Sequence, residues 1–392
     1  MNIMFVLKSY DLGGVEVVTS VLANRFISQG HNICIYAFAA SRGESIVERL
    51  DKRIHCYTLK HLKYNEENVC AMRAVMVEEN IQIVINQWGL PFYPLKTIKH
   101  ASKGLNIKVI SVYHNTPDMN GRIQEVENQI TFATSSFKKA ILSLKRRLFK
   151  EITAYSMRWN YSHSDVYMVL SPSFIKIFQK FTGLKHTPKL MVQTNPVTIE
   201  TPCEALDDSV KRKEVVYVGR IDCNQKRIER IITMWSQIES THQDWVLTIV
   251  GDGPDRSKME ELVEKLSIKN ISFEGFKNPV EYYKRASLLL LTSDFEGFPL
   301  VLAECMSFGV VPIVYGSYSA VYDIIKDKEN GRILPPKNGQ FIAEDMANIL
   351  SEVMTDSDNR DRIAINAIET SKGYSIDLIY EQWNICFQKL VN

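Results

Sequence analysis

The sequence has little of what would place it in a narrow class at once. No apolar run reaches the ~18–20 residues that a membrane-spanning helix needs. The seven cysteines (34, 56, 70, 203, 223, 305 and 386) are odd in number, scattered and never in CxxC spacing. That excludes a zinc ribbon or a dense disulfide framework and suits a reducing cytoplasm. No Gly-x-Gly-x-x-Gly fingerprint occurs, which argues against dinucleotide chemistry. No histidines or carboxylates stand at metal-site spacing, so neither a metal nor another cofactor is expected. Nor is there a charge excess: 47 basic side chains face 45 acidic ones, net +2. A nucleic-acid partner is therefore not expected. Low-complexity tracts and short-period repeats are also missing, which removes solenoids and propellers.

What is present is an ordinary folded composition, 45% hydrophobic and 23% charged over 392 residues. That length exceeds what one core normally fills, so two domains are predicted. The opening MNIMFVLKSYDLGG has an apolar stretch only from Ile3 to Leu7, followed by Lys8 and Asp11. It reads as a first strand rather than a signal peptide. Helix Val15–Gln29 follows, then strands Asn32–Phe38, Gln82–Asn86, Lys108–Tyr113 and Val166–Leu170. A polar stretch, Thr201–Lys213, precedes a second series of alternating strands and helices. Strands Glu214–Val218, Trp245–Val250, Ile271–Phe273, Leu288–Leu291 and Val310–Val314 belong to it, with helices Arg227–Ile238 and Arg256–Leu266. Such alternation predicts α/β architecture with two doubly wound parallel sheets. The divisions are 1–196, 197–374 and a last helix within 375–392, whose apolar face (Ile379, Trp383, Cys386, Leu390) must cover something. Open parallel sheets bind ligands beyond the carboxyl ends of their strands, so two facing sheets predict a site in the cleft between them.

Four constellations sit at such places, and a fifth lies on a helix. Gly13-Gly14-Val15-Glu16 opens the first helix, where paired glycines and free N–H groups suit an anion, although a plain strand-to-helix turn reads equally well. Gly219-Arg220 ends the first strand of the second domain, with Lys226 six residues on. The two cations suit a diphosphate, or they are simply solvated, like Arg227 and Arg230. Densest is Asp294-Phe295-Glu296-Gly297-Phe298-Pro299-Leu300, leading to Glu304 inside an otherwise apolar helix. A carboxylate there is costly to desolvate without partners, and paired sugar or ribose hydroxyls are suitable ones. His114 follows the buried strand Lys108–Tyr113. Finally, Phe137–Arg158 carries Lys138, Lys139, Lys145, Arg146, Arg147, Lys150 and Arg158 against one acid, Glu151. Phe137, Ile141, Leu144, Leu148 and Ile152 recur there at helical spacing. The favoured reading packs this stripe inside the first domain; the other lays the helix on an anionic membrane.

Taken in order, these pieces resemble glycosyltransferase family 4, retaining nucleotide-sugar transferases of the GT-B fold, in which two Rossmann-like domains face across a cleft. The matching residues are the GGVE loop, Val218-Gly219-Arg220 with Lys226, Val250-Gly251-Asp252-Gly253-Pro254, Phe273-Glu274-Gly275-Phe276, and glutamates 296 and 304. The resemblance implies that Arg220 and Lys226 grip the donor diphosphate, with Gly13, Gly14 and Gly219 beside it. Glu304 would bind the ribose, and Glu296 with the backbone of Gly297, Phe298, Pro299 and Leu300 the transferred sugar. Phe276 and Lys277 would face the base, and His114 the sugar. It further implies metal-independent, retaining transfer of a hexose-type sugar, with a UDP-sugar as leading donor. The acceptor would be a glycan or lipid-linked glycan, and the enzyme cytoplasmic or peripheral at the inner face of the membrane. The chain departs from the family at Gly316-Ser317-Tyr318-Ser319-Ala320-Val321, where many members have Gly-Gly-x-x-Glu. Two rivals share the fold: a nucleotide-sugar 2-epimerase, and an inactive nucleotide-sugar-binding protein.

Overall fold

The computed structural model describes residues 1–201 and 211–391. Cys203 and most of the polar stretch Thr201–Lys213 lie outside them. The chain forms two compact units, Met1–Asp118 with Ala133–Thr198 and Ser375–Asn392, and Met119–Phe132 with Ile199–Tyr374.

From the N-terminus, β1 (Asn2–Leu7) leads to α1 (Gly14–Ser28), β2 (Asn32–Ala37), β3 (His55–Thr58), α2 (Glu66–Glu78), β4 (Ile83–Asn86), α3 (Phe92–Ala101) and β5 (Lys108–Tyr113). Then α4 (Gly121–Phe132) joins the second unit, and the first continues with α5 (Ser136–His163), β6 (Val166–Val169), α6 (Phe174–Thr182) and β7 (Leu190–Val192). The seven strands form one sheet in the order β3-β2-β1-β4-β5-β6-β7. All its pairs are parallel. Its central strands are buried Ile, Val, Met and Phe, because helices cover both faces. The order reverses direction between β1 and β4, and that switch point lies beside Gly13 and His114.

The second unit runs β8 (Arg212–Val218), α7 (Ile228–Ile238), β9 (Val246–Val250), α8 (Arg256–Leu266), β10 (Ile271–Gly275), α9 (Val280–Arg285), β11 (Ala286–Leu291), α10 (Leu300–Ser307), β12 (Val311–Tyr315), α11 (Ala320–Ile324), β13 (Arg332–Leu334), α12 (Ala343–Thr355) and α13 (Ser357–Lys372). Its sheet order is β10-β9-β8-β11-β12-β13. Here the switch falls between β8 and β11, the strands that end at Gly219 and just before Asp294. Both units are thus doubly wound α/β domains. The strands that the sequence reading passed over are β3, whose residues are mostly exposed, and the three-residue β7 and β13. None is long or apolar enough to leave a pattern.

Helix α14 (Ile376–Val391) packs in the first unit. Ile379, Trp383, Cys386 and Phe387 are buried there. Phe26 of α1 meets Trp383 at 6.1 Å and Phe387 at 5.4 Å between ring centroids. Arg25 pairs with Asp377 at 2.7 Å.

The favoured reading of α5 is overturned. Phe137, Ile141, Leu144, Leu148 and Ile152 do not pack inside the domain but are at least half exposed. The helix docks through Leu142, Thr153, Ala154, Ser156, Met157, Asn160 and Tyr161 instead. Ser156 and Asn160 both donate to the carbonyl of Leu90. Polar side chains bonding a loop carbonyl hold the helix, which leaves the apolar stripe pointing away. Periodicity identifies a stripe without saying what covers it. Among the described residues, no helix is long and apolar enough to cross a membrane.

Replacing a wholly buried tryptophan leaves a cavity on top of the lost transfer energy. Trp383→Ala is therefore expected to lower stability by about 4 kcal/mol, read as a shifted denaturant midpoint at constant slope.

Candidate functional site

In the second unit two loops at the carboxyl ends of β8 and β9 touch backbone to backbone. Gly219 N donates to Val250 O at 3.0 Å and Ile221 N to Asp252 O at 2.9 Å. A Cβ at Gly251 would fall 1.9 Å from Gly219 O, and one at Gly253 would fall 2.3 Å from Ile221 O. The Gly-Asp-Gly pattern is thus what lets the loop of Arg220 lie where it does. Asp222 then shapes the turn, accepting from the N–H groups of Asn224 (2.7 Å) and Gln225 (3.1 Å). Its other oxygen lies 2.7 Å from Arg220, whose guanidinium remains exposed.

Lys226, at the end of that turn, is not a solvated cation. Its ammonium stands 2.6 Å from Glu296 Oε1, with side-chain exposures of 18% and 10%. Asp294 fixes the two segments, pairing with Arg230 at 2.6 Å and Arg227 at 3.5 Å. Backbone ties reinforce the match: Asp294 N donates to Gln225 O at 2.8 Å, and Gln225 Nε2 donates to Phe295 O at 3.1 Å. Helix α4 adds Gln124 Nε2, which donates to Asp294 Oδ2 at 3.3 Å. Arg227 and Arg230, read from sequence as further solvated cations, are therefore structural clamps. The cause is Asp294, two residues before Glu296.

Helix α10 begins at Leu300, with Pro299 as its N-cap. Proline has no N–H, so within residues 297–300 the donors are the N–H groups of Gly297, Phe298 and Leu300. Phe298 is buried, its ring 5.2 Å from that of Tyr374. One turn into the helix, Glu304 is buried and accepts from the Tyr283 hydroxyl at 3.3 Å. Phe276 and Lys277 lie exposed after β10, Lys277 paired with Glu274 at 2.9 Å. Tyr318, in the loop that departs from the family pattern, is buried beside the charge of Glu296. Its hydroxyl and that of Ser293 have no hydrogen-bond partner among the described residues.

In the first unit the glycine loop corrects an expectation. Gly13 is the extended N-cap of α1, but that helix end does not stand open to an anion. Glu16 folds over it, so that a Cβ on Gly13 would meet its carboxylate at 2.6 Å. Burial raises the pKa of this acid. His114 lies after β5, its Nε2 2.7 Å from Gln87 Oε1. A carbonyl oxygen only accepts, so Nε2 carries the proton and Nδ1 is left as an acceptor. Burial pushes the imidazole down to about 4, which keeps it neutral. Gln87 is buried, and its Nε2 is a donor without a partner among the described residues.

Two family profiles match, "Glycosyltransferase Family 4" over residues 12–200 and "Glycosyl transferases group 1" over residues 204–370. The chain belongs to this glycosyltransferase family. Among curated relatives, it is 23% identical to a Campylobacter jejuni α-1,4-N-acetyl-D-galactosaminyltransferase over 98% of this chain and 97% of that one. That enzyme's name gives a glycan on undecaprenol diphosphate as its acceptor. A Salmonella typhimurium lipopolysaccharide 1,6-galactosyltransferase is 32% identical over 38% of this chain and 42% of its own. Among solved structures, S. aureus TarM with UDP and α-GlcNAc-glycerol superposes with TM-score 0.75 at 14% identity, covering 100% of both chains. Anabaena HepE with UDP-glucose gives 0.74 at 15% identity over 99% of each. The fold is GT-B.

For this glycosyltransferase, then, the second unit brings Gly219, Arg220, Lys226, Glu296, Gly297, Phe298, Pro299, Leu300 and Glu304 to the carboxyl edge of one sheet, and His114 stands at the corresponding edge of the other. Sequence reasoning missed Asp294 as the clamp, Gln87 as the partner of His114, and the hydroxyls of Ser293 and Tyr318, which have no hydrogen-bond partner among the described residues. Asp294 was visible only as an acid preceding Glu296, with nothing in the pattern to join it to Arg230 across 64 residues of chain.

Removing one partner of a mostly buried ion pair strands the other. Lys226→Met is expected to lower stability by roughly 3 kcal/mol. Adding Glu296→Gln should restore at least half of it, as thermal unfolding of both variants would read. His114 gives a pH dependence. Its folded pKa lies below the ordinary 6.5, so the unfolded chain binds the proton more tightly. The stability is complete above pH 6.5 and lost as pH falls toward 4. By pH 5 the wild type should lose roughly 2 kcal/mol more than His114→Gln, measured by urea unfolding of the pair at pH 7 and pH 5.

Proposed function

We propose that the chain transfers a hexose-type sugar, with retention at the anomeric carbon, from a UDP-sugar to a glycan or lipid-linked glycan in polysaccharide or glycoconjugate biosynthesis. The observation that carries this reading is the Lys226–Glu296 pair at the switch point of the second sheet, with Arg220 on the same turn. An anion arriving there meets an ammonium whose present counter-ion is a carboxylate able to accept sugar hydroxyls instead. Both groups thus exchange one charge-assisted bond for another, and neither is left bare.

In the proposed reaction Arg220 and Lys226 hold the diphosphate, and Glu304 accepts from the ribose hydroxyls. Glu296 and the N–H groups of Gly297, Phe298 and Leu300 hold the transferred sugar, with His114 as a further contact to it. The backbone at Phe276 and Lys277 faces the base. The bond from the anomeric carbon to the departing phosphate oxygen breaks. The acceptor hydroxyl bonds to the same face through an oxocarbenium-like state, and its proton passes to the departing phosphate. Charge grows on that phosphate, so fixed cations stabilise the transition state more than the ground state. No side-chain acid–base pair is required. The solved relatives that hold UDP support the choice of nucleotide. A relative whose name gives an undecaprenol diphosphate glycan as acceptor supports a lipid-linked acceptor and, with it, a peripheral position at the inner face of the membrane.

A thermal-shift series with UDP-, GDP- and ADP-glucose tests the donor, because a ligand specific to the native state raises stability as ln(1 + [L]/Kd). UDP and UDP-glucose should stabilise, and the other two nucleotides should not. Arg220→Ala and Lys226→Ala should each cut transfer about 10²–10³-fold, the usual cost of one charge-stabilising donor. Transfer should persist in excess EDTA. Full transfer rates in both alanine variants would overturn the mechanism.

A further inference from the structure

The first unit carries a surface that no step of sugar transfer uses. Along α5 the side chains of Phe137, Ile141, Leu144, Leu148, Ile152 and Tyr155 recur at helical spacing, and all are exposed, from 50% at Ile152 to 77% at Phe137. They form one line roughly 27 Å long at 1.5 Å per residue. The opposite side of the helix holds it to the domain through Leu142, Met157 and Asn160. An apolar strip of this extent, in water, marks a surface meant to be covered.

We propose that α5 lies flat on a lipid bilayer rich in anionic headgroups, with its apolar line in the acyl boundary. Charge selects this occupant. Between Phe137 and Arg158 there are seven cations and one acid, Glu151. Lys138 and Lys145 border the line on one side and Arg147 on the other, and all three are exposed. A second copy of the chain docked here would bring two such rows of cations together, with Glu151 as the one acid each could offer. Helix pairs place opposite charges at those margins. An anionic membrane supplies the missing charge in quantity. The same cations forbid α5 from spanning the bilayer, so an interfacial position is what remains. Tyr155, an aromatic ring with a polar tip, suits the headgroup level at the end of the line.

This deepens the proposed function by naming what holds the enzyme beside a lipid-linked acceptor, and it rests on that reading only for its purpose. Its test needs no sugar. The full chain is sedimented with phosphatidylcholine vesicles, with and without phosphatidylglycerol. It should partition to the phosphatidylglycerol vesicles and come off them in high salt. Leu144→Glu with Leu148→Glu should abolish partitioning. Lys138→Gln, Lys145→Gln and Arg147→Gln together should weaken it about a hundredfold, near fivefold for each cation. Ile365→Glu, at an exposed apolar position on α13, should change nothing. All the substitutions are on the surface, so unchanged thermal transitions would verify folding. Failure of the wild type to bind phosphatidylglycerol vesicles would overturn the proposal. So would equal binding by all variants, or a solution dimer that Leu144→Glu dissolves. Vesicle binding by a chain that transfers no sugar would count against the proposed function alone.

Discussion

An ammonium held 2.6 Å from a carboxylate, with both side chains mostly out of water, organises the second unit. Neither charge tolerates that position alone, so each segment bearing one must be aligned with the other. The surrounding structure does this with bonds of its own. Asp222 shapes the turn that ends at Lys226, and Arg227 takes a left-handed backbone, φ 56, at the start of α7. Asp294 then grips Arg227 and Arg230 two residues ahead of Glu296. In the proposed reaction Lys226 exchanges this carboxylate for a phosphate, and Glu296 exchanges the ammonium for sugar hydroxyls.

Parallel sheet topology explains why the pair sits where it does. At a point where strand order reverses, the chains leaving two neighbouring strands diverge to opposite faces and leave an opening between them. In the second unit these strands are β8 and β11, which lead to Lys226 and Glu296. In the first unit they are β1 and β4, which lead to Gly13 and Gln87, while the adjacent β5 leads to His114. Charged and polar groups at such an edge face an opening, whereas the same groups one turn earlier would be trapped among buried Ile and Val.

Much of this is legible in the sequence. Buried parallel strands are short runs of Ile, Val and Leu, and such runs located most of the strands within a residue or two. Glu304 was visible because a desolvated carboxylate in an apolar helix needs partners, and the Gly-Asp-Gly loop was visible only as part of the family resemblance. The strands β3, β7 and β13 left no signal, being exposed or only three residues long. The partners Asp294–Arg230 and His114–Gln87 left none either, because a hydrogen bond between distant residues makes no local pattern.

The sequence by itself determined the alternating α/β architecture, the membership in a glycosyltransferase family and the residues at the strand ends. These follow from period, from residue type and from motifs that act over a few positions. Only the tertiary structure decided which charges are paired, and that Glu16 closes over the start of α1. It also decided which way α5 faces. A helical stripe fixes a direction relative to its own axis, but what lies in that direction depends on how Ser156 and Asn160 anchor the helix to Leu90, a contact made across some 70 residues of chain.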